Sequence, residues 1–188
     1  MKLEDIANVN IGVVLKRKEA AYNGYKTNKY KVFNIRCYEE KIDYDDFYSM
    51  EDLSNYVTKK GDLIFRLSLP SKIILVDEET EGLLINNLYC IIRSNNKKIN
   101  NDFLRWLLES KEIHKQLEKI IIGTAVKSIP VAKLRLVKIP TINIDEQDKI
   151  SKLISNWEKQ KKLYNQMIKE KAKYYDSVIN KLINGGNE

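Results

Sequence analysis

The sequence contains few of the residues that most catalytic and metal-binding motifs require. Its 188 residues include one histidine and two cysteines, and its three prolines stand apart at positions 70, 130 and 140. No Gly-x-x-x-x-Gly-Lys, Gly-x-Gly-x-x-Gly or Gly-x-Ser-x-Gly segment occurs, and there is no histidine pair or Cys-x-x-Cys. The Asx-Pro-Pro-aromatic tetrapeptide of adenine methyltransferases is also missing. These absences exclude the common nucleotide-binding, hydrolase, adenine-methylating and zinc classes.

Long apolar runs are absent as well. No stretch approaches the ~18 consecutive apolar residues of a membrane span, and Glu4 and Asp5 interrupt the N-terminus where a signal peptide would be apolar. Cys37 and Cys90 are isolated, so we predict two buried small hydrophobic side chains and not a disulfide or metal pair. A cytoplasmic protein without membrane contact is expected.

The charged residues are plentiful and unbalanced. A content of 43% hydrophobic and 31% charged residues is typical of a folded protein, and 33 basic against 26 acidic residues give a net charge of +7. An excess of this size favours a polyanionic partner without identifying it.

Residues 1–140 predict one α+β domain. Period-two alternation, a Gly61-Asp62 turn and an acidic turn over 77–82 separate short apolar segments that favour a mostly antiparallel or mixed sheet. The predicted strands are Tyr30–Ile35, 63–66, Lys72–Val76 and Leu83–Ile92.

One helix is predicted to pack on this sheet. Asp102 is a suitable N-cap, apolar residues recur at helical spacing from Phe103 to Ile121, and Gly123 ends the helix. Leu134–Ile139 lies between two prolines and predicts a last strand or extended arm. We therefore expect the domain to end near residue 140.

Residues 141–188 predict one long helix. Asn143 and Glu146 have capping-box spacing, and about 40 residues at 1.5 Å each give a length of about 60 Å. Apolar residues recur at alternating steps of three and four, interrupted by Lys161 and Lys171, which predicts a coiled-coil seam that needs a partner helix. The residues expected to pair are Ile150, Ile154, Trp157, Tyr164, Ile168, Tyr175, Val178 and Leu182.

Two isolated features have the residue types of catalytic groups. His114 stands among lysines and a glutamate, so we predict a solvated or partly packed side chain without a role. Glu39-Glu40-Lys41 has the Glu-x-Lys pattern of metal-dependent nucleases but no well-placed upstream aspartate. We predict a chain that is not an enzyme and that binds no metal or cofactor itself.

Basic side chains are most concentrated between Lys16 and Lys31. Six of them accompany one acid, with tyrosines, asparagines and threonine between them, and this mixture suits phosphate anchoring together with hydrogen bonds to base edges. A solvated loop with an accidental charge excess is the alternative. The candidate DNA contacts in this segment are Lys16, Arg17, Lys18, Lys26, Asn28 and Lys29.

Three further places carry short or fork-shaped hydrogen-bond donors: the connection between strands 63–66 and 72–76, the Asn86-Asn87 pair, and segment 123–128. Each suits a groove or phosphates, although the asparagines also suit a turn cap and 123–128 suits a plain helix stop. Segment 39–52 holds seven acids and is expected to face away from DNA or toward a basic partner protein. The additional candidate contacts are Arg66, Ser68, Ser71, Lys72, Asn86, Asn87, Thr124, Lys127 and Ser128.

Several segments, taken in chain order, resemble the specificity subunits of type I restriction-modification enzymes. The resemblance covers nearly the whole chain and implies a target recognition domain, which reads one half of a bipartite DNA sequence, followed by a spacer helix. Usual members carry two such domains in one chain, so this chain resembles a half-subunit or one half of a longer subunit. The matching segments are Lys2–Ala7, Tyr30–Ile35, Lys60–Ile64, Phe103–Leu108, Gly123–Ile129, Ile139-Pro140 and Glu146-Gln147 to Ile150.

The resemblance also implies partners. A homodimer paired through antiparallel helices would read an interrupted palindrome, with half-sites between one and two duplex turns of about 35 Å apart. The other implied partners are double-stranded DNA, a methyltransferase subunit that uses S-adenosylmethionine, and a restriction subunit that uses ATP and magnesium. The alternatives are a protein-interaction adaptor with incidental basic charge and a stand-alone nuclease.

Overall fold

The computed structural model describes residues 1–20, 27–33, 44–69, 71–94, 99–121 and 128–184. The chain divides into two compact units, Met1–Gln147 and Asp148–Glu188. The first combines sheets and short helices, and the second consists of most of one long helix. The predicted fold class, an α+β domain followed by a long C-terminal helix, is confirmed.

Within the described residues, seven strands form two sheets. The larger sheet has the order β1-β7-β4-β5 with antiparallel neighbours, and the smaller has the order β3-β2-β6, with β2 antiparallel to β3 and parallel to β6. Both antiparallel and parallel pairings occur, as predicted for a mixed sheet. The strands are β1 Ala7–Ile11, β2 Asn28–Phe33, β3 Tyr44–Ser49, β4 Leu63–Arg66, β5 Ile73–Leu75, β6 Leu83–Leu84 and β7 Tyr89–Ser94.

The core lies between and around these sheets. Strands β4 and β7 are buried along most of their length, which explains why they appear in the sequence as unbroken apolar runs. Phe33 of the smaller sheet meets Tyr89 of the larger one edge to face, with ring centroids 5.1 Å apart. Cys90, the residue after Tyr89, is buried, as predicted, and this burial raises the pKa of its thiol. Cys37 lies outside the described residues.

The single strand predicted over Leu83–Ile92 is wrong. The asparagine at position 86 breaks it, because Asn86 accepts hydrogen bonds from the backbone N–H of Leu88 through its side chain (2.9 Å) and from Tyr89 through its carbonyl (3.1 Å). The resulting turn sends β6 into the smaller sheet and β7 into the larger one. One apolar run therefore joins the two sheets.

The single helix predicted from Asp102 is also wrong, because the structure contains α1 Asn101–Leu108 and α2 Lys111–Ile121. The N-cap is Asn100, whose side chain accepts from the N–H of Phe103 at 3.1 Å, and Asp102 instead lies in the first turn, where a carboxylate favours the helix dipole. Ser110 separates the helices and accepts from the N–H of Ile113 at 3.4 Å. Gly123 lies outside the described residues.

The segment predicted as a last strand over Leu134–Ile139 begins as a helical turn. Helix α3, Val131–Leu134, follows Pro130, and only the residues after it are extended. This extended part pairs with the N-terminus: the N–H of Leu3 donates to the carbonyl of Val137 at 2.9 Å, and the N–H of Ile139 donates to Met1 at 2.8 Å. The chain therefore closes the first unit as an arm.

Helix α4 spans Ile144–Asn184, 41 residues, and Asn143 caps it by accepting from the N–H of Glu146 at 2.9 Å. The predicted long helix and its capping residue are confirmed. Gln147 fixes the first turn, because its side chain accepts from the N–H of Asn100 at 2.9 Å and donates to the carbonyl of Ile142 at 2.8 Å. Across the described residues, no helix is both long and apolar enough to cross a bilayer.

Candidate nucleic-acid interface

Backbone hydrogen bonds place four of the predicted contact segments side by side. The N–H of Asn87 donates to Val13 at 3.0 Å, just before the 3₁₀ turn Leu15–Arg17, and the N–H of Leu67 donates to Leu88 at 2.9 Å. Arg66 donates to the carbonyl of Lys72 at 3.0 Å, and a bridge joins Ser68 to Ser128. We refer to the surface formed by residues 14–17, 66–69, 71–72, 86–88 and 128 as the loop face.

Gly12 makes this arrangement possible. A Cβ atom at this position would lie 2.2 Å from the backbone oxygen of Asn86 and 2.4 Å from that of Ile85, so any side chain would force the two segments apart. The close approach lets Gly12 donate to Tyr89 at 2.9 Å and holds the following residues, Lys16 and Arg17, beside the Asn86 turn.

Three cations of the loop face form no ion pair with another described residue. Lys16 and Arg17 are exposed and Arg66 is half-buried. Exposed cations of this kind suit the displacement of counterions from phosphates. Ser71 has a neighbour of its own, because its hydroxyl lies 3.2 Å from Nε2 of His114.

Two apolar side chains on the loop face were missed by sequence reasoning. Leu88 is 60% exposed and Val14 is 40% exposed, although both residue types usually lie inside. Leu88 stands at the tip of the turn that interrupts the predicted strand, so its exposure follows from the break at Asn86. Apolar groups of this size beside donors suit contact with thymine methyl groups in a major groove.

The remaining described candidates near the N-terminus, Lys18, Asn28 and Lys29, lie beside acidic residues. Lys18 pairs with Glu51 at 2.6 Å, Lys29 pairs with Asp46 at 2.6 Å, and the side chain of Asn28 donates to the backbone oxygen of Glu51 at 3.2 Å. The hydrogen bond that Lys29 donates to Asp46 raises the pKa of Lys29. Antiparallel pairing of β2 with β3 brings Asp46 beside Lys29. The expectation that acidic segment 39–52 faces away from DNA or toward a basic partner protein stays a prediction.

The predicted contacts thus fall into three groups. The loop face holds nine of them, with Asn86 as a turn cap: Lys16, Arg17, Arg66, Ser68, Ser71, Lys72, Asn86, Asn87 and Ser128. Lys18, Asn28 and Lys29 lie beside Asp46 or Glu51. Lys26, Thr124 and Lys127 lie outside the described residues, as does Glu39-Glu40-Lys41.

A family comparison identifies the group of proteins to which this arrangement belongs. The model of the type I restriction modification DNA specificity domain matches residues 1–173. The chain belongs to this family. A family of DNA specificity domains agrees with the prediction of a non-catalytic chain that recognises DNA.

One named relative and two solved structures that match this chain are specificity subunits. The specificity subunit of the type I restriction enzyme MjaVIII from Methanocaldococcus jannaschii is 28% identical over 197 residues, which cover 98% of this chain and 45% of that subunit. The crystal structure of the HsdS subunit from Thermoanaerobacter tengcongensis has a TM-score of 0.66 at 19% identity, over 89% of this chain and 43% of that one. The S subunit from M. genitalium has a TM-score of 0.54 at 15% identity, over 85% of this chain and 38% of that one. The chain therefore spans less than half the length of the relatives it matches.

The helix of the specificity domain carries the predicted pairing residues along one side. Ile154 is 7% exposed and Ile150 is half-buried, whereas Trp157, Tyr164, Ile168, Tyr175 and Leu182 are each more than half exposed and Val178 is half-buried. Lys161 lies among them, with its ammonium 5.2 Å from the ring centre of Trp157. Large apolar side chains in such a row mark an interaction surface on a helix.

Proposed function

We propose that the chain is the DNA-recognition unit of a type I restriction-modification system and acts as a homodimer of half-subunits. Each copy reads one half of an interrupted palindromic site. The loop face carries the recognition proposal, because it unites the exposed cations Lys16 and Arg17, short polar side chains and exposed apolar groups on one surface.

The residues of the loop face divide the work of recognition. Lys16, Arg17 and Arg66 bind phosphates and fix the position of the domain on the duplex. Asn87, together with the serines and Leu88, lies beside them and reads base edges in the groove. Lys18 and Lys29 have a smaller share, because a cation already paired with a carboxylate must give up that partner to bind a phosphate.

The chemistry of the system belongs to other chains in this proposal. The helix docks methyltransferase subunits that use S-adenosylmethionine, and a restriction subunit supplies the steps that depend on ATP and magnesium. The specificity domain binds none of these cofactors itself and determines where its partners act.

Removing two cations of the loop face tests the recognition proposal. Arg17→Gln with Arg66→Gln is expected to weaken duplex binding and to reduce the slope of log K against log salt concentration by about 1.8, because each lost phosphate contact contributes about 0.9. Lys59→Gln with Lys60→Gln is the matched control: it removes the same charge at the opposite end of β4 and is expected to change the slope little. The measurement is a fluorescence-anisotropy titration at several salt concentrations.

The same titration separates recognition from the adaptor alternative. An adaptor with incidental basic charge would show no salt-sensitive duplex binding in the parent protein. Equal slopes for the loop-face variant and its control would contradict the assignment of this surface.

A further inference from the structure

Only part of the predicted pairing seam of α4 is exposed and available to contact a partner helix. Ten positions follow one another at unbroken steps of four and three residues: 150, 154, 157, 161, 164, 168, 171, 175, 178 and 182. The second is already withdrawn from solvent, since Ile154 is 7% exposed, whereas Ile150 is half-buried to a similar degree as Val178. From Trp157 onward the seam is available, and we refer to Trp157–Leu182 as the free seam.

The two lysines disfavour the simplest ways of pairing two copies of this helix. In a parallel pair in register, each lysine would face the same lysine of the other copy. In an antiparallel pair that overlaps the whole seam from 150 to 182, the two-fold axis passes beside residue 166, and Lys161 faces the partner's Lys171 twice. Two ammonium groups opposed in a partly dry seam repel each other, and a lysine at a seam position is known to select register.

We propose that Lys161 and Lys171 shift the pairing by one heptad, so that the free seam pairs antiparallel with itself about an axis between Lys169 and Glu170. This inference rests on the proposed homodimer. The spacings between successive positions of the free seam, 4-3-4-3-4-3-4, are the same in both directions, so every position of the free seam finds a partner. The layers are Trp157 with the partner's Leu182, Lys161 with the partner's Val178, Tyr164 with the partner's Tyr175, and Ile168 with the partner's Lys171.

The positions of the two lysines and the exposure of the seam residues both favour this register over the two neighbouring ones. Each lysine now lies against an apolar residue, so its methylene stem packs while its ammonium reaches water at the edge of the seam. The opposite shift, toward the N-terminus, would need Ile154, which is buried, and would leave Val178 and Leu182 uncovered. Charge and exposure thus select the same alignment.

Five of the seven other lysines of the helix do not oppose a pair of identical copies. At 100° per residue, these five lie at least 120° from the centre of the seam and point away from a partner seated on it. They form a basic outer face that keeps the paired helices soluble. These residues are Lys152, Lys159, Lys162, Lys169 and Lys173.

The register determines how far apart the two copies hold their reading units. A shift of one heptad moves the two helix starts apart by about 10 Å, since seven residues rise 1.5 Å each. This distance is about three base pairs of duplex at 3.4 Å each. Lys161 and Lys171 thereby influence the length of the unread gap between half-sites.

Disulfide trapping in the full chain tests the register. Chain carrying Tyr164→Cys is mixed with size-tagged chain carrying Tyr175→Cys, Ile168→Cys or Lys161→Cys, and each mixture is oxidised mildly. Only the Tyr175→Cys mixture is expected to form the mixed cross-link, because a disulfide needs Cα atoms about 4.4–6.8 Å apart. The other two are expected to remain at the background of a mixture without introduced cysteines.

Each other result overturns a specific part of the inference. Cross-linking to Ile168→Cys means full overlap with opposed lysines, and cross-linking to Lys161→Cys means the opposite shift. No cross-link with dimer mass in sedimentation refutes the register and leaves the homodimer standing, whereas monomer mass refutes the homodimer itself.

Removing the two charges tests the cause of the shift. With Lys161→Leu and Lys171→Leu in both chains, full overlap becomes favourable, and cross-linking of Tyr164→Cys to Ile168→Cys is expected to rise from background to a major product. An unchanged cross-linking pattern would show that the lysines do not set the register.

Discussion

Aspartate at both Trp157 and Ile168 is expected to convert the proposed homodimer into a monomer. Both side chains are more than half exposed on the helix and lie in the seam that we propose pairs with a second copy, where an unpartnered carboxylate would be buried. Affinity for a duplex with two half-sites is expected to fall by about 100-fold or more, because the second half-site no longer benefits from a linked binding unit. Analytical ultracentrifugation gives the mass, and a duplex titration gives the affinity.

The matched control changes charge equally on the opposite side of the helix. Gln166→Asp with Asn180→Asp also adds two carboxylates, but both positions point away from the seam, so the dimer mass and the affinity are expected to stay close to those of the parent. A Trp157→Asp and Ile168→Asp variant that keeps its dimer mass would refute the seam as the pairing surface.

Replacing Asp62 with alanine is expected to lower the free energy of unfolding by about 2–4 kcal/mol, because it leaves the partly buried guanidinium of Arg93 without its counterion. Asp62 is 3% exposed and accepts from Nε of Arg93 at 2.8 Å, from its terminal nitrogen at 2.6 Å, and from the N–H of Lys59 at 2.7 Å. The hydrogen bonds that Arg93 donates to Asp62 also raise the pKa of Arg93. Urea unfolding followed by circular dichroism measures the change.

An exposed ion pair provides the comparison for this prediction. Lys60 and Glu78 lie 2.8 Å apart with most of both side chains in solvent, so Glu78→Ala is expected to change the free energy of unfolding by less than about 1 kcal/mol. Equal effects of Asp62→Ala and Glu78→Ala would contradict a structural role for the buried pair.

The sequence correctly predicted those elements whose conformation is determined by residues close in sequence. The Gly61-Asp62 turn is present, with Gly61 at a φ of 88°, a backbone region that suits glycine. The long helix also follows from local evidence, because its capping residue and the regular spacing of its apolar residues lie within the segment that forms it.

The elements that were predicted wrongly or missed are those whose conformation is determined by contacts between residues far apart in sequence. The run 83–92 looks like one buried strand, and only its division between two sheets shows why Asn86 interrupts it. Strand β1 was missed because Asn8 and Asn10 disfavour a strand by propensity, and pairing of Val9 with Ile92 overrides that preference.

The candidate site was predictable in its residue types but not in its grouping. Runs of cations and amides marked most of the segments, yet nothing local shows that 13–17 approaches 85–88, since that contact depends on Gly12 and on pairings more than 70 residues apart in sequence. The ion pair of Lys29 with Asp46 depends likewise on the pairing of β2 with β3, and the ion pair of Lys18 with Glu51 joins residues 33 positions apart in sequence.

Selection of binding sites from a random duplex library, with this protein and the proposed methyltransferase partner, tests most directly whether paired copies read DNA. Two identical loop faces related by a two-fold axis predict enrichment of an interrupted palindrome, with inverted half-sites at one fixed spacing. Enrichment of one uninterrupted or asymmetric site, or of no site at all, would contradict the account.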